Sequence, residues 1–345
     1  MERLELEKSK MAKENSAVKV ENNDDIVGGI DINKLISNVR ATYSKNEQGL
    51  AKQISTGASI SKPTEDDDFI LWTAGSHWQA LTELRGLPLG RITQISGKPD
   101  SGKSSHAAMF MTMAQKQDII VINWDAERKF SADRYDNKLG GKSKNLLVVD
   151  TNSIVDGCKA VAQLVHSIKE MNKDAKILIV WDSVGASVNS SENQEESEDM
   201  SKQPGISAKE TSFAIRKFNK LCNKYRNTET NKESIAVLVI NQTYVSIGMG
   251  APIQVEKGGT ELTYLSSLII QLSRKSDVFK TKDGVKYKVG IITKGRVRKN
   301  HLFGANENVA ELDLIVSADG IKLANEVKSK DKDISWGDDK GLDDE

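Results

Sequence analysis

Residues Gly97–Ser104 read GKPDSGKS, a match to GxxxxGK[ST] at every fixed position. The strand-like run ITQIS (92–96) precedes it, and the helical stretch SSHAAMFMTMAQK overlaps its end. Few patterns constrain a fold this tightly. The motif works only between a buried strand and a helix, where successive backbone N–H groups and the helix dipole cradle phosphates. Gly97, Lys98, Pro99, Asp100, Ser101, Gly102, Lys103, Ser104 and Ser105 are therefore the candidate nucleotide contacts. Lys103 offers a point charge to the terminal phosphates, and the Ser104 hydroxyl is placed to ligate Mg²⁺.

The surrounding sequence agrees with that demand. Short β-branched runs alternate with longer helical stretches: IIVINW (119–124), LLVVD (146–150), ILIVWD (177–182), IAVLVIN (235–241), LIIQLS (268–273), VGIIT (289–293) and LDLIV (312–316). The early runs are apolar on both faces, which suits parallel strands buried beneath helices. The last ones have short connections. The expected fold is α/β, a mostly parallel central sheet flanked by helices with an antiparallel extension at its C-terminal end.

Composition bounds the rest. Across 345 residues, 49 basic and 49 acidic side chains cancel, which excludes a histone-like binder driven by net charge but not a local nucleic-acid face. Cys158 and Cys222 cannot build a disulfide framework or a CxxC knuckle, and the four scattered histidines lack zinc spacing. No apolar run reaches membrane-span length, and the charged start MERLELEKSKMAKEN has no signal-peptide core. A soluble cytoplasmic protein without a membrane partner is expected.

Residues 1–30 read as a flexible polar segment. Asp31 then caps a short amphipathic helix with Ile32, Leu35, Ile36, Val39 and Tyr43 on one stripe. With its linker it fills 31–53, and the stripe covers either its own core or a neighbouring copy. The main domain occupies 54–325. An acidic tail, 326–345, ends in GDDKGLDDE, for which simple solubility is one reading.

Several strand ends carry chemistry. Asp182 closes ILIVWD, the natural place for a Mg²⁺-associated carboxylate; IIVINWDAE sets Asp125 and Glu127 where a strand leaves the sheet, and Glu127 is the candidate for orienting water. IAVLVINQ ends in Asn241 and Gln242, amides able to sense a γ-phosphate. Two aperiodic stretches, 185–205 and 244–260, read as functional loops. The helix after the first carries Lys209, Arg216, Lys217, Lys220, Lys224 and Arg226, a basic surface for phosphates or a plain solvent face. KGRVRK (294–299) follows VGIIT and could stabilise phosphate charge in cis or from a neighbour.

Taken together, from Ile54 to Leu323, this set resembles the RecA recombinase family, including its phage-type (UvsX-like) members. INWDAE is similar to the strand bearing the family's catalytic glutamate, LIVWDSVGA to its Mg²⁺-associated strand and VINQ to its switch strand. The resemblance implies that Glu127, Gln242, Lys103, Lys294 and Arg296 do the chemistry, the last two reaching a neighbour's ATP. It also implies that Tyr135, in YDNKLG with one extra residue before it, stacks on adenine. Loops 185–205 and 244–260 become the first and second DNA loops, with Lys209, Arg216, Tyr244, Ile247, Gly258, Gly259 and Thr260 as DNA contacts. Tyr244 departs from the usual bacterial arginine, Pro204 from a small hydrophobic residue, and no separate C-terminal DNA-binding domain is expected. The helix at 31–43 would dock on the adjacent protomer.

The implied function is an ATP- and Mg²⁺-dependent recombinase. It would form a helical filament on single-stranded DNA and pair it with homologous duplex, helped by single-strand-binding and loader proteins, in a bacterial or phage-infected cytoplasm. The rivals are a hexameric helicase on the same core and a non-catalytic, ATP-gated paralogue.

Overall fold

A computed structural model describes residues 26–27, 30–43, 66–72, 77–189, 206–227, 232–246, 253–256, 259–302, 311–324 and 334–336. They fall in two units, Met1–Ser61 and Lys62–Glu345. In the first, β1 (Ile26–Val27) and β2 (Ile30–Asp31) form a minimal antiparallel pair. Helix α1 (Ile32–Ala41) follows, and the Asp31 carboxylate accepts the Lys34 N–H at 2.9 Å, the expected N-cap.

The second unit is built on one large sheet. Its elements are β3 (Phe69–Leu71), α2 (His77–Thr82), β4 (Gly86–Pro88), β5 (Ile92–Gly97), α3 (Lys103–Lys116), β6 (Ile120–Asp125), α4 (Ala132–Asn137), β7 (Leu146–Val149), α5 (Ile154–Met171), β8 (Ile177–Asp182) and α6 (Ile206–Lys224). Next come β9 (Ile235–Ser246), β10 (Ile253–Glu256), α7 (Thr260–Leu265), β11 (Ser266–Lys282), β12 (Val285–Asn300), β13 (Glu311–Ser317), β14 (Gly320–Leu323) and β15 (Ile334–Trp336). The strand order is β14-β13-β12-β11-β5-β9-β8-β6-β7, with β10 added on β9 and β15 on β11. From β11 to β7 every pairing is parallel, and β12 to β14 extend the sheet antiparallel.

Why the central runs are apolar throughout is plain from the packing. Leu178, Val180, Ala236, Leu238 and Ile240 face the layer holding Trp78, Phe110 and Met111. Their neighbours Ile177, Ile179, Trp181, Ile235, Val237 and Val239 face the layer of α5 and α6, among Val161, Val165, Ile215 and Phe218. The period of two thus feeds both cores. Trp124 and Trp181 stack with centroids 4.3 Å apart, and Phe218 meets both edge-on, adding roughly 0.5–1.5 kcal/mol per aromatic pair to the burial itself. Cys158 and Cys222 lie in this core as free thiols.

Four expectations are corrected here. The run 235–241 continues to Ser246, and Thr243–Ser246 pair antiparallel with Ile253–Glu256, so the flanks of the second loop are a hairpin rather than aperiodic chain. The runs 268–273 and 289–293 are parts of a longer ribbon, β11–β12, whose outer part is mostly polar and exposed, with Val278 the buried exception. Lys294 and Arg296 consequently lie within β12, not beyond its end. Within the tail, Ile334–Trp336 pairs with Val278–Lys280.

Candidate functional site

Parallel order brings the carboxyl ends of β5, β9, β8 and β6 into one row, with Gly97 opposite Gln242 and Asp125 opposite Asp182. The loop leaving β5 turns through two left-handed residues, Asp100 (φ 56°) and Gly102 (φ 87°). A Cβ on Gly102 would come within 3.0 Å of the Val316 side chain, so glycine serves both the turn and the close packing. Thr293 Oγ1 donates to the Ser101 carbonyl at 3.1 Å, tying β12 to the loop. One turn into α3, the His106 ring lies 2.8 Å from the Gly102 carbonyl through Nδ1. Burial lowers its pKa to about 3; the ring is neutral, and facing a carbonyl its Nδ1 carries the proton.

Lys103 opens α3 almost buried, its Nζ donating to the Lys98 carbonyl at 2.7 Å. Burial lowers its pKa, against the pull of the Asp182, Glu127 and Asp100 charges. Asp182 shows the opposite case: burial first, then the Glu127 and Asp125 charges, raise it to about 6, against a Ser104 hydrogen bond and the Lys103 charge. Asp182 Oδ1 is buried without a hydrogen-bond partner. A hydroxyl on one side and an orphaned carboxylate oxygen on the other fit a small hard cation with oxygen ligands, so the Ser104–Asp182 pair suits Mg²⁺.

Glu127, just past β6, accepts from Ser183 Oγ at 2.6 Å and from Gln242 Nε2 at 2.8 Å, both on Oε1, while Lys129 reaches Oε2 at 2.8 Å. Burial would raise the Glu127 carboxyl, but the hydrogen bonds from Lys129, Ser183 and Gln242 outweigh it and hold it below the usual range. Asn241 is buried and its Oδ1 accepts the Gln242 N–H at 2.9 Å, leaving Gln242 as the amide that meets Glu127. Residues Pro99–Ser105, Glu127, Gln242 and Arg134 line one groove of about 730 Å³, closed on the far side by Arg274 and Lys288 of the β11–β12 ribbon.

Other candidates lie elsewhere. Lys294 Nζ sits 2.8 Å from Glu311 Oε2, and Arg296 Nε 3.8 Å from Glu311 Oε1; neither lines the groove of its own chain. Tyr135 does not line that groove. It is 1% exposed, packed on Phe130, and its hydroxyl donates to Gln115 Oε1 at 2.9 Å, with burial raising its pKa to about 12. The Tyr135 ring lines a small cavity of about 70 Å³ with Phe130, Ser104 and Asp182, and the preceding residue, Arg134, lines both that cavity and the larger groove.

On the opposite helical layer, Lys209 and Arg216 are exposed on α6, Arg216 Nε lying 3.6 Å from Glu261. Gly259 (φ 79°) returns the second loop so closely that a Cβ would lie 3.3 Å from Ala208 on α6. Thr260 opens α7, and Tyr244 is exposed on the outgoing arm of the hairpin. Ile247, Gly258 and residues 190–205 lie outside the described residues. Sequence reading missed Glu256. At the foot of the hairpin it accepts from Gln94 of β5 at 2.8 Å, from Arg298 at 3.0 Å and from Thr263 at 3.3 Å. Its partners are up to 162 residues away, so no local signal points to it.

A phosphate-type loop at the carboxyl edge of this strand order defines an α/β P-loop protein with a RecA-like core. Comparison narrows the class. The RecA N-terminal domain family matches residues 61–322, and the chain belongs to the RecA family. Protein RecA of Crocosphaera subtropica is 31% identical over 232 residues, 67% of this chain and 60% of that protein. Protein RecA of Aquifex aeolicus is 32% identical over 246 residues, 71% of this chain and 65% of the relative. For Chlorobaculum tepidum the figures are 33% over 244 residues, 70% and 64%. The matches thus span less than two thirds of these relatives. Among the described residues, no helix is long and apolar enough to cross a membrane.

Proposed function

We propose that this chain is an ATP-dependent homologous recombinase of the phage type, assembling as a helical filament on single-stranded DNA. The observation that carries this reading is the hydrogen bond joining Glu127 to Gln242 at the groove beside Lys103. In this reading the contact joins a water-orienting carboxylate to an amide on the strand leading to the second loop. Such a pair can tell a terminal phosphate from its absence and pass the difference to the hairpin.

Lys103 and the 97–105 loop bind the phosphates, and Ser104 with Asp182 would hold Mg²⁺. Bound there, that ion supplies neutralising charge to the β- and γ-phosphates. Glu127, ionised by its three donors, accepts a hydrogen bond from the attacking water and orients it. Lys294 and Arg296 do not line their own groove and are assigned to the adjacent protomer's ATP, with α1 docking between copies. Lys209, Arg216 and the backbone around Gly258-Gly259 and Thr260 hold the DNA phosphates, leaving the bases free to pair with a homologous duplex. Ile247 and Tyr244 are assigned as DNA contacts, Tyr244 offering a ring in place of a phosphate contact. Tyr244 and the extra residue before Tyr135 are departures from the bacterial pattern; single-strand-binding and loader proteins are the expected partners, in the cytoplasm of a bacterium or an infected host.

The test is ATP hydrolysis with and without single-stranded DNA, followed by pairing of a homologous duplex. DNA-stimulated turnover and joint molecules are expected. Turnover indifferent to DNA, with no joint molecules, refutes the proposal.

A further inference from the structure

We propose that Glu256 is a positioning residue, a latch that fastens the second-loop hairpin to two strands at once: β5, which leads into the P-loop, and β12, which carries Lys294 and Arg296. The inference rests on the recombinase reading and names the contact through which nucleotide state reaches the loop.

Strand register sets the place. Glu256 ends β10 opposite Thr243, the residue after Gln242, so it stands on the returning arm of the hairpin level with the amide of the outgoing arm. Its side chain is only 12% exposed. A carboxylate so far from water costs free energy unless donors surround it. Gln94 Nε2 donates to Oε2 at 2.8 Å, Thr263 Oγ1 to the same oxygen at 3.3 Å, and Arg298 Nη1 to Oε1 at 3.0 Å.

Two of these donors lie on strands that serve phosphates. Gln94 is fully buried on β5, a few residues before the P-loop, and its Oε1 has no hydrogen-bond partner, so its amide is committed to Glu256. Arg298 is the extra residue of a β-bulge: Val297 pairs with Ile270 and Lys299 with Ile269, which leaves Arg298 with no residue opposite. A bulge re-aims the side chain it inserts, and here the guanidinium reaches Glu256. Lys299, beside it, donates to the Thr263 and Tyr264 carbonyls at 2.8 and 2.9 Å, so the end of β12 grips both the foot of the hairpin and α7. Earlier on the same strand stand Lys294 and Arg296, the cations assigned to the adjacent protomer's ATP. A permanent bolt is made at least as well by apolar packing, whereas an ion pair with a half-exposed arginine is weak enough to remake as the strands shift. One carboxylate thus passes a movement of either strand to the loop.

Fluorescence anisotropy of a labelled single-stranded oligonucleotide tests the latch, using the full-length protein with Mg²⁺ and either a non-hydrolysable ATP analogue or ADP. The wild type is expected to bind more tightly with the analogue. Glu256→Gln keeps the size of the side chain and an acceptor for Gln94 but loses the charge. It should weaken binding with the analogue about fivefold and leave binding with ADP unchanged, while DNA-free ATP hydrolysis stays at the wild-type rate. Arg298→Met should shift DNA binding in the same way, and the double variant should lose no more than either single one. Equal losses with analogue and ADP would show a purely structural tie and overturn the proposal. Unchanged binding with the analogue, or additive losses in the double variant, would overturn it too. Wild-type DNA binding that ignores the nucleotide instead refutes the recombinase reading, and the latch falls with it.

Discussion

Gln242 Nε2 donates to Glu127 Oε1 across 2.8 Å, although 115 residues separate them in the chain. The strand order makes this possible: β8 lies between β9 and β6, and Ser183, just beyond β8, donates to the same oxygen at 2.6 Å. The Gln242 amide and the Glu127 carboxylate, proposed above as phosphate sensor and water-orienting group, are therefore joined directly. Gln242→Ala should leave basal ATP hydrolysis measurable but abolish its stimulation by single-stranded DNA, read by a coupled phosphate-release assay. Full stimulation in the variant would break the link.

Removing the carboxylate charge is a separate case. Glu127→Gln keeps the size and a donor–acceptor pair, so nucleotide and DNA binding should persist while turnover falls by about 10²–10⁴-fold. Filter binding beside steady-state hydrolysis checks both halves. DNA-stimulated hydrolysis at the wild-type rate would show that Glu127 is not the water-orienting group.

Asp182 is held near pKa 6, above the usual carboxylate range. Its folded pKa is raised, so between the ordinary value and about 6 the folded state binds the extra proton, and ionisation above that window costs stability. Two outcomes follow. Asp182→Asn should raise the melting temperature of ligand-free protein at pH 7, by roughly 2–4 °C per kcal/mol recovered. Mg²⁺-dependent ATP binding by the wild type should weaken as pH falls through about 6, since the proton and the cation compete. A calorimetric melt and a pH series of titrations measure these effects.

Much of this was legible in local sequence. GKPDSGKS needs only its own eight residues and flanking strand, and ILIVWD declares both its burial and its terminal carboxylate. What escaped reading depends on partners far away or on a shift of one residue. YDNKLG cannot say whether Tyr135 or Arg134 turns to the groove; packing on Phe130 and Gln115 decides it. The second-loop hairpin was hidden because its pairing of Thr243–Ser246 with Ile253–Glu256 is made by backbone in a glycine-rich stretch. Glu256 was invisible for the same reason that it matters: it joins Gln94, Arg298 and Thr263, from three different elements.

If the α6 surface meets DNA as proposed, Lys209→Ala and Arg216→Ala should each weaken single-stranded DNA binding evenly across sequences and lower the salt slope by about 1. Fluorescence anisotropy over a salt series reads this directly. A sequence-dependent loss with an unchanged slope would mean these cations do not meet phosphates.

Cys158 and Cys222 are pushed up to about 11 and about 12 by burial, so neither is a thiolate at pH 8. A chromogenic disulfide reagent should find no fast-reacting thiol in the native protein and both after denaturation. Rapid native labelling would show that the α5–α6 core opens.

The most direct test of the account is electron microscopy, with parallel sedimentation, of the purified protein on single-stranded DNA in the presence of a non-hydrolysable ATP analogue or of ADP. Extended helical filaments with the analogue that shorten or dissolve with ADP are expected. Monomers under both conditions, or coating of the DNA that ignores which nucleotide is present, would contradict it.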